Sequence, residues 1–310
     1  MDFNVIFNQV GVLAAVMLLG FVAVKAGYVK AEIKDSISTI IIKILLPCLI
    51  ISSISSKEIN SDFLGDMAIV AGMSLFSIAI LFLIGTLTAK IFKIPNKTST
   101  LHKLLFSVGN VMFIGYPIIT SAYGEDSFIY LMVYWLFNDF FVWTLGIYML
   151  TKNNQQSGNP LKKLLNPNTI SFAAAIIMMI FGIKLPPIID SAVYNTGQLT
   201  TYLSMIFIGM ALATVDVKRV VRKWWVFIIV VFKLIIMPVV FILIFNALGI
   251  KELIYGVVVL AAAMPAQTVT TMLANEYKSD VEYGAVTLFV TTILSLGTLP
   301  LVCWFIDRIA

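Results

Sequence analysis

Histidine and cysteine are almost absent from this sequence, which has one His and two Cys among 310 residues. Neither Cys48 nor Cys303 has a Cys or His partner nearby, so we expect no metal site and no disulfide framework. His102 stands among basic residues and is predicted to be a solvated loop histidine. The sequence offers no Ser/His/Asp set, no His/Cys/Glu cluster and no Gly-rich phosphate loop, so neither an enzyme nor an ATP-driven pump is indicated, and no cofactor is expected.

Charged residues are also scarce, at 12% of the chain, against about 25% in a typical soluble domain. Hydrophobic residues make up 60%, and the mean hydropathy is +0.99. This composition predicts a polytopic membrane protein embedded in a lipid bilayer. The net charge of +5 is therefore assigned to membrane topology, and nucleic-acid binding is not expected. The apolar run to Val24 is long enough to span and no basic segment precedes it, so no signal peptide is expected.

Ten apolar segments are long enough to cross a bilayer. These predicted spans lie at about 5–24, 36–55, 66–89, 103–122, 127–150, 168–189, 198–214, 224–248, 253–274 and 283–305. Of the 21 Lys and Arg residues, fifteen fall in connections from odd to even spans and four on the other side. Because cytoplasmic loops are enriched in Lys and Arg, we expect both termini to lie outside the cell.

An even number of spans divided five and five gives the two halves opposite orientations. The polar stretch 151–160 is a natural seam between them. We therefore predict a first five-helix repeat in residues 1–150 and a second, inverted repeat in residues 151–310. Pro117 in span 4 then corresponds to Pro265 in span 9. Inverted repeats with interrupted spans in matching positions are typical of secondary transporters.

Span 4 is a poor straight helix. Pro117 lacks an N–H and would free the carbonyl of Phe113. Gly109 and Gly115 loosen the backbone on either side. Asn110 places an amide where lipid would penalise it. The sequence therefore predicts a broken helix here, because unwound backbone within a membrane is tolerated only where protein buries it or where it lines a watery cavity.

Span 9 carries the matching break, since Pro265 is followed at once by Gln267 and Thr268. Two such breaks point to a transporter binding site. Each half-helix would direct an N-terminal end of about +0.5 charge at the site, which favours an anionic group such as a carboxylate. We predict that Asn110 and Gln267 bind the substrate or order the freed backbone. Hydrogen bonding between packed spans is the alternative.

Three charged residues lie near the middle of predicted spans. A charged Asp139 in span 5 would cost at least about 2.5 kcal/mol, so it must be paired, protonated or facing water. Asp139 could serve in proton or cation coupling, or it could form a structural ion pair with a lysine. Lys233 in span 8 could pair with Asp139 or contact an anion. Lys43 in span 2 precedes Pro47 by one turn on the same face. Lys43 is therefore a candidate coupling residue and Pro47 a candidate substrate-site residue, although a proline kink is often only a packing feature.

Several motifs in these spans belong together. They are Leu46-Pro47, residues 109–117, Asn138 with residues 143–146, Lys233 with Pro238, and residues 262–265 with residues 274–277. Across essentially the whole chain they resemble the auxin efflux carrier family, which contains plant PIN carriers and bacterial malate and malonate permeases. The short linker between the halves, in place of the long cytoplasmic loop of plant PIN carriers, favours a bacterial-type member.

The resemblance implies an all-α membrane protein with ten transmembrane helices in two inverted five-helix repeats, in which broken helices 4 and 9 cross at Pro117 and Pro265. Spans 1, 2, 6 and 7 would form a scaffold that dimerises. Spans 3–5 and 8–10 would form a transport domain that moves like an elevator. The motifs add Gly115 and Tyr116 to the predicted substrate site and Asn138 to the coupling residues.

These observations predict a secondary active transporter of a small organic anion, a mono- or dicarboxylate, in the cell membrane. Protons and sodium are the candidate coupling ions. A cation/proton exchanger on the same fold is the alternative; Asp139 keeps it open, although spans 4 and 9 offer only Asn110 and Gln267 at their crossing. A sensor without transport is less favoured, because such proteins usually carry an appended soluble domain.

Overall fold

The computed structural model describes residues 3–54, 61–151, 167–214 and 223–309. These residues form helices joined by short connections, with one isolated antiparallel bridge. In chain order the helices are α1 (Phe3–Lys25), α2 (Ile33–Ile54), α3 (Ser61–Ile91), α4 (Asn96–Ser107), α5 (Val111–Tyr123), α6 (Glu125–Thr151), α7 (Pro167–Phe181), α8 (Pro187–Ala213), α9 (Val226–Ala247), α10 (Glu252–Ala262), α11 (Thr268–Glu276) and α12 (Val281–Ile309).

Six of these helices are long and apolar enough to cross a membrane. They are α2, the Leu64–Ile91 part of α3, α6, α8, α9 and α12. Helices α5, α7 and α10 and the Val10–Lys25 part of α1 are shorter but also apolar. Many of the large apolar side chains on these helices are exposed, including Leu19 and Phe181. Such surfaces suit lipid contact, and the chain is an all-α, multi-pass membrane protein.

The boundaries of spans 6 and 7 differ from the sequence prediction. Helix α7 ends at Phe181, short of the predicted end at 189, and α8 begins at Pro187, well before the predicted start at 198. Pro186 is extended, and Pro187 occupies the first turn of α8, where its missing N–H leaves no bond unmade. Hydropathy missed this start because Asp190 and its polar neighbours make the first turns of α8 less apolar.

Four helices contain a widened, π-helical turn. These turns are Ile41–Leu45, Val111–Gly115, Val142–Gly146 and Val230–Ile236. Three of them end two residues before a proline, namely Pro47, Pro117 and Pro238. A proline cannot donate to the preceding turn and its ring displaces a carbonyl, so a wider turn accommodates it without ending the helix. These prolines therefore shape continuous helices, and the breaks lie elsewhere.

The described residues divide into two compact units. The smaller unit contains residues 9–54, 61–67 and 167–214, and the larger unit contains residues 3–8, 68–151 and 223–309. Each unit therefore combines segments from both halves of the sequence.

In the smaller unit, helices approach one another through glycine. A Cβ atom at Gly209 in α8 would overlap the backbone carbonyl oxygen of Met17 in α1. Gly197 lies against α2 in the same way, since its Cβ would come within 2.7 Å of the Cα atom of Leu49. Gly209 thus permits the close approach of α8 and α1. Small residues at such contacts are the usual means of packing helices tightly in membranes.

In the larger unit, Asp280 lies directly before α12, and its carboxylate connects three parts of the chain. It accepts hydrogen bonds from Thr98 Oγ1 (2.6 Å), Lys223 Nζ (2.9 Å) and the backbone N–H of Tyr283 (3.0 Å). Burial by itself would raise the pKa of Asp280, but these hydrogen bonds together lower the pKa below its ordinary value. The cluster thus joins the beginnings of α4 and α12 to Lys223, which lies three residues before the start of α9.

The prediction that His102 is a solvated loop residue is wrong. His102 is fully buried in α4. Its Nδ1 lies 2.7 Å from the Tyr283 hydroxyl oxygen, and its Nε2 lies 3.0 Å from Thr88 Oγ1. The Thr88 hydroxyl donates its hydrogen to the carbonyl of Ile84, so towards His102 it acts as the acceptor of a hydrogen bond from Nε2–H. Nδ1 of His102 then accepts a hydrogen bond from the Tyr283 hydroxyl. The sequence suggested a loop because lysines flank this helix start, whereas α4 begins six residues earlier, at Asn96.

We predict that Gly209→Ala destabilises the protein by about 1–3 kcal/mol, because the new methyl group meets backbone atoms that cannot rotate away. Thermal unfolding of the purified protein measures this. Gly11→Ala in α1 is the matched control, since nothing lies within 4 Å of its Cβ position. Equal melting temperatures for the two variants would contradict the packing described here.

We predict that Asp280 stabilises the larger unit only above its folded pKa. A carboxyl whose folded pKa is depressed binds fewer protons than it does in the unfolded chain, so its contribution is present near neutral pH and is lost as pH falls through the folded pKa. Melting temperatures of wild type and Asp280→Asn should therefore differ at pH 7 and converge toward pH 3. A difference that is constant over this range would disprove the assignment.

Candidate functional site

Two interrupted helices meet inside the larger unit. Residues 108–110 separate α4 from α5, and residues 263–267 separate α10 from α11. The two connections run antiparallel, with Gly109 and Ala266 paired as an isolated β-bridge. The backbone N–H of Asn110 donates to the carbonyl of Pro265 at 2.8 Å. We call these two connections the crossing.

The position of the break in span 4 corrects the sequence prediction. Pro265 lies in the crossing as expected, but Pro117 lies outside it, in α5 after the wide turn Val111–Gly115. In that turn the N–H of Tyr116 donates to the carbonyl of Val111. The wide turn accommodates the proline, and the chain opens instead at Gly109.

Close packing explains why glycine stands at this break. A Cβ atom on Gly109 would lie 2.9 Å from Met264 Cβ and 3.1 Å from the carbonyl oxygen of Ala261. Those distances are too short for the two connections to keep their present separation. Gly115 is less constrained, because its Cβ would be 3.4 Å from the nearest atom of the Met264 side chain.

Side chains from neighbouring helices satisfy the opened backbone. The N–H of Gly109 donates to Asn138 Oδ1 at 3.1 Å, and Asn138 Nδ2 donates weakly to the Gly109 carbonyl at 3.5 Å. On the other connection, the N–H of Ala266 donates to Thr291 Oγ1 at 3.0 Å. All these groups are buried, so water cannot replace the bonds. Asn138, expected among the coupling residues, thus supports the crossing directly.

Three of the predicted substrate residues, Asn110, Gln267 and Thr268, lie at the crossing. Asn110 Nδ2 donates to Thr268 Oγ1 at 3.2 Å, linking the starts of α5 and α11. Gln267 Oε1 accepts a hydrogen bond from Thr270 Oγ1 at 2.9 Å. Each of these side chains is at most 5% exposed. Tyr116, one of the motif residues, is also buried, and its ring packs edge-on against the Phe128 ring with 5.0 Å between the ring centroids.

The two charged candidates of the larger unit have different partners. Asp139 is 8% exposed, and its Oδ2 accepts a hydrogen bond from Trp143 Nε1 at 3.0 Å. Lys233 is fully buried on the wide turn of α9, and its ammonium donates to the backbone carbonyls of Leu105, at 3.1 Å, and Val108. The bonds of Lys233 go to the end of α4 rather than to Asp139, so the pairing considered from sequence is not the arrangement found.

Two further candidates belong to the smaller unit. Lys43 is exposed on the wide turn of α2, and Pro47 is half-buried in the same helix. The crossing is built entirely from residues of the larger unit. Lys43 and Pro47 are therefore not part of the crossing as defined here.

Sequence reasoning missed three contributors to the site. Thr291 looks like one more small polar residue in an apolar helix, and nothing in its pattern marks it as a partner of Ala266. Leu105 and Val108 act through their carbonyl oxygens, which no side-chain pattern reveals. The break at Gly109 could have been located, since a glycine directly before a polar amide is the natural place for an apolar helix to open.

The arrangement can bind an anion without a positively charged side chain in direct contact. Helices α5 and α11 both begin at the crossing, so their first N–H groups lack partners within the helix. Asn110, Gln267 and Thr268 add neutral donors. Within the described ranges no three His, Cys, Asp or Glu residues are grouped as a metal site would require.

We predict that Gly109→Ala destabilises the crossing by about 1–3 kcal/mol, because the two connections must move apart. Gly115→Ala, in the same motif, should leave the melting temperature nearly unchanged, since its Cβ makes only an ordinary contact. Thermal unfolding of both variants tests this. An equal loss of stability in both would show that the close approach at Gly109 is not specific.

Comparison with known proteins agrees with these observations. The family described as Membrane transport protein matches residues 5–160 and 157–303. An uncharacterized transporter of Methanocaldococcus jannaschii is 26% identical over 295 residues, covering 94% of this chain and 95% of that protein. An uncharacterized transporter of Methanothermobacter thermautotrophicus is 23% identical over 288 residues, covering 92% and 93%. The chain belongs to the Membrane transport protein family, the auxin efflux carrier-type transporters.

Proposed function

We propose that this protein is a secondary active transporter of a small organic anion, a mono- or dicarboxylate. The observation that carries the proposal is the hydrogen bond between Asn110 and Thr268, which brings the beginnings of α5 and α11 together. The N-terminal end of a helix carries about half a positive charge and unpaired N–H donors, and anions bind there readily. Two such ends at one point give a carboxylate a binding site in a region that excludes water.

In this proposal the amides and backbone of the crossing hold the carboxylate. Asn110 and Gln267 donate from their side chains, and Thr268 contributes its hydroxyl. Gly115, Tyr116, Pro117 and Pro265 shape the backbone around the site. These polar groups are neutral, so a bound carboxylate meets no opposing carboxylate among them. This favours anion transport over the rival function, a cation/proton exchanger, which needs an ionisable acid at the crossing itself.

Asp139 is the residue through which a coupling ion would act. It is buried next to Asn138, which holds the Gly109 backbone. A change in its protonation, or a cation at its carboxylate, would therefore reach the crossing through one neighbouring residue. Protons and sodium are the two coupling ions to test.

We propose that alternating access is of the elevator type. The larger unit, which contains nearly all of span 3, spans 4, 5 and 8–10 and the whole crossing, is assigned as the transport domain. The smaller unit, which contains most of spans 1 and 2 and spans 6 and 7, is assigned as the scaffold, and it is the part that would form a homodimer. The division of the chain into two units, each drawn from both halves, supports this assignment.

The proposed topology has ten spans in two inverted repeats, residues 1–150 and 151–310, in the cell membrane with both termini outside. The distribution of Lys and Arg over the loops supports it. The two interrupted helix pairs, α4–α5 and α10–α11, count as one span each in this scheme.

Uptake of labelled carboxylates into proteoliposomes tests the proposed function. Asn110→Ala and Gln267→Ala should each reduce uptake about 10-fold or more, because each removes a hydrogen bond to a charged group worth about 1.5–3 kcal/mol. Asn110→Asp is the sharper variant, because it keeps the shape but adds negative charge, and it should abolish anion uptake.

Asn246→Ala is the matched control, since the Asn246 amide donates to the carbonyl of Ile309 and takes no part in the crossing. Its uptake should equal that of wild type. Melting temperatures of all variants separate lost binding from lost folding. Unchanged uptake in both Asn110→Ala and Gln267→Ala would remove the site assignment, and cation flux enhanced by Asn110→Asp would favour the exchanger.

A further inference from the structure

The C-terminal end of α4 presents backbone carbonyls to the protein interior. The last four carbonyls of any helix have no partner within it. Here the end of α4 is completely buried, since Leu105, Phe106, Ser107 and Val108 all have 0% exposure. Water therefore cannot satisfy these oxygens, and their dipoles add up to about half a negative charge at this point.

Lys233 supplies the missing donors. Its ammonium lies against the carbonyls of Leu105, at 3.1 Å, and Val108. Among the described residues, Lys233 is the only Lys or Arg that is fully buried. A buried ammonium is costly unless hydrogen bonds and an opposing charge offset its loss of hydration. The helix end provides both, and its carbonyls are the only hydrogen-bond partners of the ammonium among the described residues.

The chemistry of this contact is that of a cation site. Backbone carbonyl oxygens at a helix end are ligands that small monovalent cations accept in membrane proteins. A lysine differs from a free ion in being attached to the chain. It cannot diffuse away as a free ion can. It also joins α9 to the end of α4 and hence to the crossing, because Val108 is the first residue of that connection.

We propose that Lys233 is a tethered cation: its ammonium fills a carbonyl site for a monovalent cation at the end of α4, so the crossing keeps its form without a free metal ion. Lys233 is a positioning residue in this role, since it reaches the substrate site only through Val108 and the backbone beside it. The site itself is specific to small cations, and emptying it creates a binding site for ammonium, methylammonium or Na⁺.

Chemical rescue tests the proposal. Lys233→Ala leaves space and bare carbonyls, and its melting temperature should fall by about 5–10 °C, as expected when a buried charged partner is removed. Adding ammonium or methylammonium chloride should restore about half or more of that loss in a saturable manner. Choline chloride at the same concentration should not, because the ion is too large. The melting temperature of the wild-type protein should be the same in all these salts.

Two further variants separate charge from hydrogen bonding and from general salt effects. Lys233→Gln keeps N–H donors but has no charge, so it should be less stable than wild type. Lys223→Ala removes a lysine from the Asp280 pair, and its melting temperature should not respond selectively to ammonium. If Lys233→Ala cannot be purified, the melting temperature of Lys233→Gln relative to wild type decides the question.

Three results would overturn the proposal. They are a Lys233→Gln variant as stable as wild type, equal rescue by choline and ammonium, and saturable stabilisation of wild type by Na⁺ that Lys233→Ala lacks. The stability readout requires no substrate. A parallel uptake arm rests on the proposed function: carboxylate uptake by Lys233→Ala should become dependent on ammonium. Rescue of stability without any carboxylate uptake, in wild type as well, would retain the cation site and reject the transport assignment.

Discussion

The larger unit depends on one constraint: backbone groups released at two helix breaks must find partners where water is excluded. Each unsatisfied N–H or C=O in a nonpolar medium costs several kcal/mol. The structure meets this by pairing the breaks with each other, through Asn110 and Pro265, and by adding side chains from two other helices, Asn138 and Thr291. The remaining negative helix end is met by Lys233.

This solution separates the two kinds of helix end. The carbonyl end of α4 is bonded by a buried ammonium that belongs to the chain. Among the described residues, the N–H ends of α5 and α11 have no such charged partner, and they adjoin the neutral side chains of Asn110 and Thr268. A site with a fixed cation on one side and two helix N-terminal ends on the other is suited to a small anion. The packing of Gly109 against Met264 keeps these ends close enough to act together.

Much of this could be predicted from the sequence. Low charge and long apolar segments established a membrane protein, and paired interruptions in spans 4 and 9 located the crossing. Pro117 misled the prediction, because a proline after a wide turn and a proline at a break look alike in sequence. His102 was misjudged, because flanking lysines suggested solvent while tertiary packing with Tyr283 buried it. Carbonyl acceptors such as that of Val108 leave no sequence signal at all.

Hydrogen–deuterium exchange of the reconstituted protein, with and without a transported carboxylate, tests most directly whether the crossing is where the anion binds. If it is, added carboxylate slows exchange in residues 109–113 and 266–271, which contain the first N–H groups of α5 and α11. Protection confined to any other part of the chain, with these two segments unchanged at saturating carboxylate, would contradict the account.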